Sequence, residues 1–199
     1  MKHELGIMVF VASSIIITSL FMIHPAFATG DIGSSRINPS SPLYFLKGVR
    51  EILELKFAGT TKVRALRQLE FATRRIREVK SLGNTSRQDL IEPTLERYAW
   101  HLQELKGIVH PKDIAMVNKV NEQITFQLNA LQEVFKVASD PKAKRSIRLA
   151  IFRISEKFAA SRPAACNFLS KEASSSALNE VEKVVLKERT DKCYNLKLF

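Results

Sequence analysis

The chain has 199 residues, 45% hydrophobic and 26% charged, with 7 Gly, 7 Pro and 2 Cys. That length and composition fit one domain with a real core, and they exclude both a disordered chain and a disulfide-dense miniprotein. Lys and Arg (31) exceed Asp and Glu (20) for a net charge of +11, a balance that bears on solubility and anionic partners rather than on fold.

From Leu5 through Gly30 the chain holds no Asp, Glu, Lys or Arg, and the 18 residues Gly6 to Ile23 are almost wholly apolar. His24, Pro25 and the triplet Ala26-Phe27-Ala28 follow. A short charged start, an apolar stretch and small residues at Ala26 and Ala28 make residues 1–28 read as a secretory signal peptide. The stretch also just reaches the roughly 18–20 residues that span a bilayer, so an uncleaved anchor is the alternative. Either way the rest of the chain is expected to be secreted or extracytoplasmic, at the cell envelope. Membrane attachment is then expected only through the N-terminal segment. Cleavage would remove one Lys and one Glu and leave the charge unchanged.

Residues 29–41 are rich in Gly, Ser, Pro and Asn and read as a flexible tether. Beyond them the hydrophobic period is helical throughout, with no alternating run long enough for a sheet. A first helix is expected from Ser41-Pro42 to about Phe57, burying Leu43, Leu46, Val49, Ile52, Leu53 and Lys56-Phe57. Gly59-Thr60-Thr61 should stop it and cap a second helix over about 61–82. There Ala65, Leu69, Ala72, Ile76 and Val79 recur at heptad spacing and should pack on a neighbouring helix.

A third helix is expected over about 87–107, with Pro93 marking its start or a kink, and a fourth over about 112–138. The fifth follows Asp140-Pro141 and covers about 142–160, and Arg162-Pro163 should break the chain again. A last amphipathic piece, about 174–189, lies between Cys166 and Cys193. In an oxidising compartment that pair reads as one disulfide, with two buried free thiols as the alternative. Short loops between long amphipathic helices predict an all-α, antiparallel up-and-down bundle of five to six helices over residues 42–199.

The run Pro39-Ser40-Ser41-Pro42-Leu43-Tyr44-Phe45-Leu46-Lys47, then Leu66 through Ile76, resembles the DUF5667 family. Members share a P-x-S-P-L-Y-x-x-K opening and a second helix carrying E-x-A-x-x-R-L-x-E. Here Glu70, Ala72, Arg75, Ile76 and Glu78 take those places, with Ile for the usual Leu. The similar part covers residues 42–110 and tails off beyond Tyr98, leaving 111–199 as C-terminal helices. The resemblance implies an exported or membrane-anchored all-α module of unknown function, sometimes attached to signalling or sigma-factor-regulating proteins. It implies no catalytic residues.

Charge is concentrated in two segments. Residues 60–80 carry Lys62, Arg64, Arg67, Arg74, Arg75, Arg77 and Lys80 against two acids, and 140–162 carry Lys142, Lys144, Arg145, Arg148, Arg153, Lys157 and Arg162 against two more. On a helical wheel Arg64, Arg67, Arg74 and Glu78 lie opposite the Ala65-Leu69-Ile76 seam and should face solvent. The bland reading is a solvated face. The sharper one is a basic surface for an acidic protein, an anionic envelope polymer or lipid headgroups. Export and the lack of any recognition motif argue against nucleic acid.

His101 and His110, nine apart, do not match the i, i+4 spacing of a helical metal pair, and no metal or other cofactor is expected. No nucleophile elbow, zinc-protease motif or glycine-rich phosphate loop is present. The leading expectation is therefore an exported, non-enzymatic helical-bundle protein acting as a binding or accessory module at the cell envelope. A chaperone-like or stress-sensing helical module and a membrane-anchored regulator of a signalling partner are the alternatives.

Overall fold

The structure, a computed structural model, describes residues 39–195 together with Ile32, Gly33, Ser35 and Ile37. The signal segment expected over 1–28, with Ala26 and Ala28, and part of the tether expected over 29–41 lie outside the described residues. Among the described residues there are seven α-helices and no strands: α1 Tyr44–Lys56, α2 Thr61–Gly83, α3 Ile91–Ile108, α4 Ile114–Val137, α5 Pro141–Lys157, α6 Arg162–Ala173 and α7 Glu180–Asn195. No helix among them is long and apolar enough to cross a membrane.

Local chemistry sets most of these boundaries. Thr60 Oγ1 accepts from the Val63 amide at 3.2 Å and starts α2. Asp113 accepts from Met116 at 3.0 Å to start α4, and Asp140 from Lys142 at 3.0 Å to start α5. Each carboxylate or hydroxyl satisfies an amide that has no partner within the helix. Pro141 follows Asp140 as the first residue of α5, where a missing N–H costs nothing. Pro93 sits in the first turn of α3 for the same reason, and the helix begins at Ile91, after a 3-10 turn over Gln88–Leu90, rather than at about 87.

Four helices form the core. α2 packs on α3 and α4, and α5 closes the ring against the same two, whereas the consecutive helices α3 and α4 scarcely touch. The interior is filled by the heptad seam of α2 with Leu95, Tyr98 and Leu102 of α3, Ile124, Leu128 and Leu131 of α4, and Ile147, Ile151 and Ile154 of α5. Its buried polar groups are paired: the Tyr98 hydroxyl donates to Gln127 Oε1 at 2.8 Å, and Gln127 Nε2 donates to Thr73 Oγ1 at 2.9 Å. Gln88 donates to the Gly83 carbonyl at 2.8 Å and accepts from the Asp140 amide at 2.8 Å, tying the end of α2 to the start of α5.

Towards the C-terminus two more boundaries differ from expectation. Arg162-Pro163 does not break the chain but opens α6, because proline is accepted in a helix's first turn. The last helix is shifted to Glu180–Asn195, so Cys193 lies within α7 rather than beyond it. Cys166 on α6 and Cys193 stand at disulfide distance, with Cα atoms 5.8 Å apart, and both are fully buried. α6 and α7 pack on each other, and both reach α5.

Candidate functional site

The most unusual arrangement is the docking of α1. Its polar side, carrying Tyr44, Lys47, Glu51 and Glu54, is laid against α2. Arg75 of α2 bonds to Glu51, to the Tyr44 hydroxyl and, at 2.9 Å, to Glu78. Lys47 pairs with the other oxygen of Glu78, and the Tyr44 hydroxyl donates to Glu78 at 2.9 Å. Arg74 reaches Glu70, Glu51 and Glu54; Arg67 lies 2.9 Å from Glu70 and 3.5 Å from Glu54; Arg50 closes on Glu54 within α1.

The Arg75 and Glu78 side chains are almost wholly buried, at 2% and 0% exposure. Glu78, expected on the solvent face, is therefore an interior residue. Arg67 and Arg74 are half-buried against acids of α1 and α2, and of that predicted face only Arg64 stays exposed. The wheel located the polar side of α2 correctly but could not show that another polar helix face lies on it.

Burial governs the proton affinities here. It pushes the Tyr44 phenol up to about 12, with the Glu78 carboxylate adding to the effect. It also lowers Lys47 and raises Glu51, in each case against the pull of an ionic partner. His101 of α3 stands behind the cluster and donates from Nδ1 to Gln68 Oε1 at 2.7 Å. Burial, with the Arg75 and Arg74 guanidiniums added, pushes it down to about 3. The imidazole is neutral at ordinary pH.

With its charges inward, α1 turns its apolar side out. Leu43, Leu46, Val49, Ile52, Leu53 and Phe57, expected to be buried, are exposed, Ile52 to 68% and Phe57 to 67%. Phe45 (65%) extends the stripe, and Val63 at the start of α2 is exposed as well. The helix begins at Tyr44 rather than Ser41-Pro42, because the Ser41 carbonyl accepts from the Tyr44 amide at 3.0 Å in a turn ahead of it. Large apolar side chains exposed in one stripe are the pattern of a contact surface.

The basic residues expected to form one surface are dispersed. Lys62 and Lys142 are exposed, while the Arg77 Nε donates to the Ile32 carbonyl at 2.7 Å. Lys144 lies 5.2 Å from the Phe135 ring, and Arg145 pairs with Glu182 at 2.9 Å. Arg148 is buried, with burial lowering its proton affinity, and its guanidinium lies 3.7 Å from Glu172 and 3.9 Å from Glu182. It lines a shallow cleft of about 420 Å³ between α5 and α7, with Arg145, Val181, Val185 and Arg189. Among the described residues no group of three or more His, Cys, Asp or Glu could hold a metal. Trp100, half exposed, rests edge-on against His101 with ring centroids 4.9 Å apart.

Glu51 and Glu54 were not singled out from the sequence, although they are as central as the arginines they meet. The available signal was the acid on the polar side of α1, one turn beyond Lys47, facing a helix with paired arginines. Residues 36–141 match a family described as "Domain of unknown function (DUF5667)". No curated protein and no solved structure matches the chain.

Proposed function

The chain belongs to the DUF5667 family, and we propose that it is an exported, non-enzymatic binding module of the cell envelope whose contact surface is the outward apolar stripe of α1. One observation carries this reading: the most amphipathic helix of the fold is fixed with its charged side buried and its apolar side in water. Exposing that many large apolar side chains opposes folding unless a partner covers them. Burying Glu51, Glu78 and Arg75 is itself costly in solvation, so the ion cluster holds the orientation rather than supplying much stability.

The apolar run at residues 6–23 supports export, and the surplus of basic side chains supports anionic surroundings. The stripe is a convex helix face rather than a groove, which favours docking of α1 onto a partner surface over the holding of unfolded clients. The basic segments act in this reading as a diffuse field that draws the molecule to an acidic surface.

Fractionation of the native cells tests the reading. The full chain should appear in the exported or envelope fraction. A Leu46→Ser, Ile52→Ser variant, which removes only exposed groups, should keep its unfolding free energy within about 0.5 kcal/mol yet leave the envelope-associated pool for the soluble exported one. A chain confined to the cytosol, or a variant that fractionates like the parent, would overturn it.

A further inference from the structure

We infer that the occupant of the α1 stripe is the surface of an anionic lipid bilayer, on which α1 lies flat as an interfacial helix. The inference rests on the proposed function and names the partner of that same face.

Three observations select a lipid surface. The first is the sidedness of charge. From residue 39 to residue 69 the only acids are Glu51 and Glu54, and both point into the ion cluster with side-chain exposures of 11% and 7%. The outward side of this segment therefore offers no carboxylate to an approaching anion. Exposed Lys56, Lys62 and Arg64 flank its C-terminal end beside Phe57 and Val63. Phenylalanine and leucine on one side with lysine and arginine at the rim is the pattern of a helix lying in the headgroup region, where apolar burial and attraction to anionic lipid act together.

The second is what the same rim does to a rival occupant. A second copy of the chain placed stripe to stripe would bring Lys56, Lys62 and Arg64 to an interface where this segment supplies no outward acid, and like charges across an interface disfavour docking. The third is position along the chain. The apolar run ends at Ile23, with 20 residues between it and Tyr44, the first residue of α1. Passage through a membrane therefore brings α1 next to a bilayer before any other helix.

The test places a reporter on the stripe of the full chain. With Trp100→Phe removing the only native tryptophan, Phe45→Trp and Ile52→Trp each put one indole at an exposed position. Val181→Trp does the same on α7, which packs on neither α1 nor α2. Each variant is mixed with phosphatidylglycerol–phosphatidylcholine vesicles whose acyl chains carry bromine near the headgroup. Emission of the residue-45 and residue-52 reporters should fall by at least half relative to unbrominated vesicles, while the residue-181 reporter changes little. Because two reporters occupy one face, misfolding of either leaves the other to decide.

Unquenched reporters on α1 overturn the inference, and their behaviour without lipid then separates the causes. A blue shift that grows with protein concentration would assign the stripe to a second copy and leave the binding-face reading standing. Water-like emission under every condition, in cell extracts as well, would remove that reading too.

Discussion

Arg75 shows how one side chain can decide which way a helix faces. It is inside the protein, bonded to Glu51 from α1 and Glu78 from its own helix. Removing one member of such a set leaves the others charged and buried, which costs about 3–5 kcal/mol. Arg75→Met is expected to lose about that much in urea unfolding, although methionine fills much of the same space; a loss below about 1 kcal/mol would mean that water reaches the cluster. His101 makes the complementary case with a group that stays neutral. Its folded-state value of about 3 lies well below the ordinary value, so the unfolded chain binds the proton that the folded chain refuses. Its contribution to stability is whole above about pH 6.5 and is lost as pH falls from there toward about 3, at up to ~1.4 kcal/mol per unit. Unfolding free energies at about pH 7, 6 and 5 should therefore fall faster for the parent than for His101→Gln, by close to that slope. Parallel slopes would show that His101 takes its proton without unfolding.

At the level of helices, periodicity divides each element into two sides but does not say which side goes in. For α2 the answer followed from its heptad seam, because Ala65, Leu69 and Ile76 had apolar partners on α3 and α4. For α1 the same logic pointed the wrong way. Its buried side is specified by complementary groups, Arg75 and Glu78, that lie 24 to 34 residues downstream of their partners on α1, a pairing that no local window contains. The family pattern had already quoted Tyr44, Lys47, Arg75 and Glu78, and in the fold these four meet in one cluster. The missed start of α6 is a smaller failure of the same sort, since Arg162-Pro163 reads equally as a stop or an opening. The approach of α2 to α4 supplies a test that does not involve α1. A Cβ added at Gly83 would lie 2.9 Å from Val134 Cγ1, and a β-branched side chain has little freedom to swing aside. Gly83→Ala is expected to lower stability by about 1–3 kcal/mol despite alanine's better helix propensity, as read by thermal or urea unfolding. A stabilised variant would show that the two helices can separate slightly at no cost.

For the molecule as a whole, the all-α class and the helical ring were legible from period and punctuation, whereas the outward apolar stripe of α1 was not. Net charge marked the arginines, but most of those in residues 60–80 neutralise acids within the fold. The C-terminal pair is arranged differently: Cys166 and Cys193, 27 residues apart in sequence, stand at disulfide distance beneath the surface where α6 meets α7. In the chain-entropy account a closed loop of that size contributes about 3.5 kcal/mol. A Cys166→Ser, Cys193→Ser double variant should lose about that amount, and a reductant should have no further effect on it. If reductant leaves the parent's unfolding curve unchanged as well, the two sulfurs are not bonded.

The docking of α1 through a polar cluster of ions and the Tyr44 hydroxyl also sets how the molecule opens. Apart from the cluster, α1 packs on α2 and no other helix to any extent, and its departure uncovers charged groups that water receives well. The first helix is therefore expected to detach as a separate cooperative unit while the four-helix ring stays intact, and its amides should exchange with solvent deuterium through a sub-global opening cheaper than complete unfolding. If a bilayer covers the stripe as inferred, that route should close, and the same amides are expected to exchange more slowly in the presence of anionic vesicles.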